Sequence, residues 1–163
     1  MKAAVALREK HDGALGDTVP LRLWLRLLSC TMVIEKRVKR RLAEQFDATL
    51  PRFDVLAALD RHPEGLTMGA LSAFLLVSNG NVTVLIRTLE RDGLVVVSPS
   101  PTDRRATVVQ LTADGERQFA AMAAAHHEWI DRMMAGLSRP QRELLYDLLG
   151  ALKLSIAGED YDA

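Results

Sequence analysis

Arg104 and Arg105 stand side by side after Asp103, between two short apolar runs. Guanidinium groups at the tip of a hairpin suit phosphate oxygens and a narrow minor groove. Asp103 would repel phosphate, so its place is structural: pairing with an arginine so that the turn keeps its shape. A second group lies upstream, where Ser78, Asn79, Asn81 and Thr83 precede Arg87. Asparagine can pair with adenine through two hydrogen bonds, and serine or threonine can bind a base or a phosphate. Gly80 among them leaves room for close backbone approach, and a helix N-terminus there favours a phosphate. Both groups point to contact with DNA.

Other chemistry finds no support. The chain has no Ser/His/Asp or Cys/His set, no phosphate loop and no suggestively paired carboxylates, so an enzyme is not expected. His126-His127-Glu128 does not make a metal site, because adjacent histidines point to different sides of a helix. No metal or cofactor is expected. The single cysteine, Cys30, forbids an intramolecular disulfide and lies on a leucine stripe, which predicts a core position. Arg22, Trp24, Arg26 and Ser29 on one helix, and His126, His127 and Trp129 on another, place cations beside tryptophan. That set suits an aromatic carboxylate or its thioester. Trp24 and Trp129 equally suit packing in a dimer core.

These groups need elements to carry them. Residues 20–46 predict a long helix, with Leu23, Leu27, Cys30, Ile34, Val38 and Leu42 on one stripe. Leu21, Leu25 and Leu28 make its first half apolar nearly all round, which a second subunit would cover. Pro51 starts a helix over Arg52 to Arg61, ended by His62-Pro63-Glu64-Gly65. Thr67 caps a short helix from Met68 to Phe74. Ser78 caps the next, which runs to about Arg91 and stops at Gly93 with Val82, Leu85, Ile86 and Leu89 inward. Leu94 to Ser98 and Ala106 to Leu111 predict two strands flanking the arginine turn. Thr112 caps a helix to about Met134, and a last one from Gln141 to about Ile156 carries Leu144, Leu145, Leu148, Leu149 and Leu152. The chain is therefore mainly α, about six helices plus a two-stranded wing.

With 163 residues, 48% hydrophobic and 26% charged, the chain holds one well-cored domain with helical extensions. Aromatics at 5% argue against a carbohydrate site or an RNA-stacking platform. Net charge is zero, but the field at a surface follows local arrangement. The basic run Lys36 to Arg41 reads as a solvated helix face, and Arg52 and Arg61 as non-specific phosphate contacts. No secretory signal and no membrane-spanning run is evident, so a cytoplasmic place and no membrane partner are expected.

The order of elements resembles the MarR family of bacterial transcription regulators. Asp103 and Arg105, then Leu111-Thr112 and Gly115, are similar to its wing signature D-x-R followed by L-T-x-x-G. Leu66-Thr67 to Leu71, Ser78 to Thr83, and Leu89-Glu90-Arg91-Asp92-Gly93-Leu94-Val95 resemble its helix-turn-helix core. The likeness spans roughly residues 20–156, with a winged helix-turn-helix at about 50–112 and dimerisation helices at about 20–46 and 112–156. Residues 1–19 are expected to be a flexible arm and 157–163 an acidic tail. The resemblance implies a homodimeric, ligand-responsive repressor on a palindromic operator, with effectors bound between the dimer helices and the winged helix. It also makes Arg105 the partner of Asp103, leaving Arg104 freer. Ser78 to Thr83, with Met122 to Trp129, is similar to members that control aromatic-acid breakdown, some answering to aromatic acyl-CoA. Where the family often has an arginine after Gly-Leu-Val, this chain has Val97, which bears on wing–backbone contact. Neutral charge and Val97 keep open an alternative reading, a winged-helix protein-interaction module without specific DNA binding.

Overall fold

The computed structural model describes residues 19–75, 79–100 and 106–158. Six helices and three strands occur among them: α1 (Val19–Phe46), α2 (Leu50–Asp60), β1 (Leu66–Thr67), α3 (Met68–Leu75), α4 (Asn79–Arg91), β2 (Val95–Pro99), β3 (Thr107–Leu111), α5 (Ala113–Met134) and α6 (Arg139–Ala157). The chain divides into two compact units, the first ending at Ala124 and the second beginning at Ala125.

In the first unit the core gathers one face from each element. Val38 and Leu42 of α1, Val55, Leu56 and Leu59 of α2, Leu71 of α3, and Val82, Ile86 and Leu89 of α4 are all buried. Phe53 meets Phe119 of α5 with ring centroids 5.6 Å apart and the rings tilted, a favourable aromatic geometry. α2 begins where Thr49 accepts a hydrogen bond from the Arg52 amide, with Pro51 in the first turn. Thr67 caps α3 in the same way, accepting from the Ala70 amide at 3.2 Å.

The sheet is antiparallel with order β1-β3-β2. The expected two-stranded wing thus gains a third strand, because Leu66 and Thr67 pair with Val109 and Val108. Gly65 makes this close approach possible. It sits at φ 87°, and a side chain there would overlap Val108 and Gln110.

The stripe expected to bury the whole of α1 does so only at its C-terminal end. Leu23, Trp24 and Met32 are exposed, and Cys30 is exposed too, against the expected core position. Among the described residues, nothing covers the first half of the helix enough to bury it. In the second unit, α6 starts from a capping box at Ser138 and Gln141 and carries no buried residue. Its expected apolar face is present but lies open, with Leu144, Leu148 and Leu154 well exposed.

Candidate nucleic-acid interface

α4 has two faces of opposite character. Val82, Ile86 and Leu89 turn inward and are fully or almost fully buried. At helical spacing, the opposite stripe is Gly80, Val84, Arg87 and Arg91, all exposed. Asn81 is exposed beside it, while Thr83 and Thr88 are half-buried on its flanks. The Thr88 hydroxyl donates to the Val84 carbonyl at 3.1 Å, so it is engaged within the helix. A helix presented in this way can lay its outer stripe in a major groove.

The end of α4 is locked to the wing by a backbone clasp. Gly93, at φ 73°, closes the helix with two bonds: the Leu94 amide donates to the Leu89 carbonyl, and the Gly93 amide to that of Glu90, both at 2.9 Å. Thr112 then joins three segments. Its hydroxyl donates to the Gly93 carbonyl at 2.7 Å and accepts from the Gly115 amide at 3.0 Å, while its amide donates to the Leu94 carbonyl at 3.1 Å. Gly115 lies so close to the Leu94 carbonyl that any side chain would overlap it. Arg52 at the head of α2 meets Asp92 at 2.7 Å, tying the same corner to the core. The orientation of α4 relative to the wing base is therefore set by the bonds of this clasp.

Of the residues expected to contact DNA, Asn81, Thr83 and Arg87 sit on the open part of α4. Asn79 opens the helix. Ser78, Asp103, Arg104 and Arg105 lie outside the described residues, and so does the expected Asp103–Arg105 pair. Arg52, expected on phosphate, is instead held by Asp92 and only 21% exposed at its side chain. The basic run of α1 is solvated at Lys36, Arg37, Lys39 and Arg40, with Lys39 on Glu35 at 2.5 Å and Arg40 near Glu44 at 3.8 Å, whereas Arg41 is half-buried. Val97 is half-buried in β2 opposite Val109.

The residues expected to hold an effector fall into two groups. Arg22 and Arg26 line a shared open cavity of about 240 Å³ with Val19 and Leu23. Ser29 is committed to its own helix, donating to the Leu25 carbonyl at 2.8 Å, and Trp24 is exposed. In the second unit, His126 packs edge-on to the buried Trp129 with centroids 6.4 Å apart. Burial, and then the neighbouring His127, hold the His126 pKa below the usual histidine value. His127 itself is well exposed, 3.4 Å from Asp131.

Sequence reasoning missed a larger cavity, of about 620 Å³, between the head of α2 and α4. Arg52 and Asp54 line one side, and Asn81, Val84 and Leu85 the other. Asp54 is half-buried there. Desolvation raises its pKa above the usual carboxylate value, with Glu35 adding to the rise and Lys39 opposing it. The signal in the sequence was a carboxylate set directly between two apolar residues of the helix, Phe53 and Val55.

The comparisons with known proteins agree with this geometry. The MarR family model matches residues 46–106. The transcriptional activatory protein BadR of Rhodopseudomonas palustris is 36% identical over 104 residues, 63% of this chain and 59% of BadR. The chain thus spans less than two-thirds of that relative. The uncharacterized HTH-type transcriptional regulator YfiV of Bacillus subtilis is 30% identical over 112 residues, 69% of each chain. The MepR–DNA complex from S. aureus shares the fold, with a TM-score of 0.70 at 24% identity, over 82% of this chain and 96% of MepR. With the open recognition helix, the clasp and the wing strands in this order, the chain belongs to the MarR family of winged helix-turn-helix transcription regulators, a family of regulators and not of enzymes.

Proposed function

We propose that the chain binds a palindromic operator in double-stranded DNA as a homodimer and represses transcription until a small molecule releases it. The observation that carries this reading is the outer stripe of α4, clasped to the wing and exposed among the described residues. Asn81, Thr83 and Arg87 are the base and phosphate contacts on that helix, joined by Ser78 and Asn79 at its head. Arg104 and Arg105 serve the wing. Occupancy alone can block a promoter, so repression needs no surface beyond these elements. The operator is read in the bacterial cytoplasm.

Dimerisation would cover the apolar residues of α1 and α6. Leu21, Leu23 and Trp24 on one, with Leu144, Leu145, Leu148 and Leu149 on the other, exceed what a monomer normally leaves open. Two half-sites about one turn apart, ~34–36 Å, then require both recognition helices at a set separation. A ligand that favours another separation would weaken DNA binding. An aromatic acid or its CoA thioester suits the guanidinium groups of Arg22 and Arg26, which line one open cavity.

The test is fluorescence anisotropy on DNA from upstream of the chain's own gene, over a salt series. Saturable binding that prefers this DNA over random sequence and falls steeply with salt supports the reading. Arg104→Ala weakens binding across all sequences, whereas Asn81→Ala relaxes preference at particular bases. Unchanged affinity in both variants sinks the site assignment. Aromatic acids and their CoA thioesters, added to the complex, are then expected to release the DNA.

A further inference from the structure

The outward stripe of α4 holds two residues that the fold does not call for. Val84 is 67% exposed, and at helical spacing it lies nearly opposite the buried Val82, Ile86 and Leu89. A β-branched side chain is a weaker helix former than leucine or alanine, and this one gains little burial in return. Gly80, one turn earlier on the same stripe, has no left-handed backbone to justify it. A side chain built at Gly80 meets none of the described residues within 4 Å. Glycine inside a helix weakens it, and packing here does not require one. The two residues together make a short, exposed apolar strip beside Asn81, Thr83 and Arg87. Apolar contact in the major groove has one distinctive target, the C5-methyl group of thymine.

We propose that Val84 reads the methyl group of a thymine in each half-site, and that Gly80 lets the helix come close enough for that contact. The inference rests on α4 being the base-contacting helix, and it adds a specificity that the polar residues do not supply. Valine suits the task because its χ1 is stiff, so its methyls are already in place before contact. Val84 also borders the open cavity between the head of α2 and α4, and its neighbours Asn81, Thr83 and Arg87 on the helix are hydrogen-bonding groups suited to base edges.

Deoxyuridine differs from thymidine only by the missing methyl, so it isolates this contact. The wild-type chain first selects its own operator from random duplexes. Each half-site thymine is then replaced singly by deoxyuridine, and affinities are measured for wild type, Val84→Ala and Val84→Thr. At one thymine position, loss of the methyl is expected to weaken wild type about fourfold, the worth of one buried methyl. Val84→Ala should bind the two DNAs alike there, and Val84→Thr, which keeps one methyl, should retain part of the difference. Thermal melts of the variants are expected to match wild type, because the side chain is exposed.

The proposal is overturned if every deoxyuridine affects wild type and Val84→Ala equally, or if the selected half-sites contain no thymine. A wild-type chain that selects a sequence but shows no methyl coupling removes this inference alone. A wild-type chain that selects no sequence removes the DNA-reading function with it.

Discussion

Asp54 shows how one residue can carry a stability signature that the sequence barely hints at. Its carboxyl is half-buried beside α4, and its pKa is raised, chiefly by desolvation. A raised acid pKa means that the folded chain holds the proton more tightly than the unfolded chain. The stabilising proton is present at low pH and is lost as pH rises from the ordinary value of 3.8 through the folded one. Ionised Asp54 is thus a cost at neutral pH. Asp54→Asn is expected to melt at a higher temperature than wild type at pH 7.5, with a smaller gap at pH 4. Equal gaps at both values would refute the assignment. His126 works with the opposite sign. Its lowered pKa means that the unfolded chain takes up the proton first, so stability falls as pH drops below about 6.5. His126→Gln should flatten the decline in melting temperature between pH 7 and pH 5.

Among the elements, the clasp between α4, the wing and α5 explains why a run of motif residues recurs in this order. Gly93 supplies the left-handed turn, Thr112 bonds to both of its neighbours, and Gly115 leaves room for the Leu94 carbonyl. Thr112→Val removes the cap and should lower stability by about 1–2 kcal/mol in urea unfolding. Gly115→Ala should cost more, up to ~3 kcal/mol, because the obstructing atom is backbone and cannot swing aside. Gly80→Ala is the contrast. It should leave the fold equally stable or firmer by up to ~1 kcal/mol, while weakening operator binding. Destabilisation by Gly80→Ala would show a packing role that the open space around it does not suggest.

At the scale of the whole molecule, the unmet requirement is cover for the apolar residues of α1 and α6. In α6 alone, Leu144, Leu148, Leu154 and Ile156 are each more than half exposed. A charge placed among them should prevent self-association without harming the separate chain. Leu148→Glu is expected to shift light-scattering mass from dimer to monomer at micromolar concentration. Its operator affinity should fall by at least ~100-fold, since one recognition helix loses the benefit of the other. A Leu148→Glu chain that stays dimeric would place the interface elsewhere.

What could be read in the sequence was mostly local. The helices follow from leucine spacing, Pro51 and Gly93, the cap at Thr67 from its place before an apolar run, the cap at Thr112 from its place after one, and the inward face of α4 from Val82, Ile86 and Leu89. The family followed from motif order. Tertiary structure decided what joins residues distant in the chain. β1 pairs Leu66 with Val109, and two residues of extended chain carry too little pattern to announce a strand. Arg52 turned from a phosphate candidate into the partner of Asp92, because folding brings those two charges to 2.7 Å. Cys30 left its expected core place because a helical stripe reports which residues share a face, not whether anything covers that face. Periodicity within an element is written in neighbouring residues. Burial, pairing and cavities depend on which surfaces meet after folding.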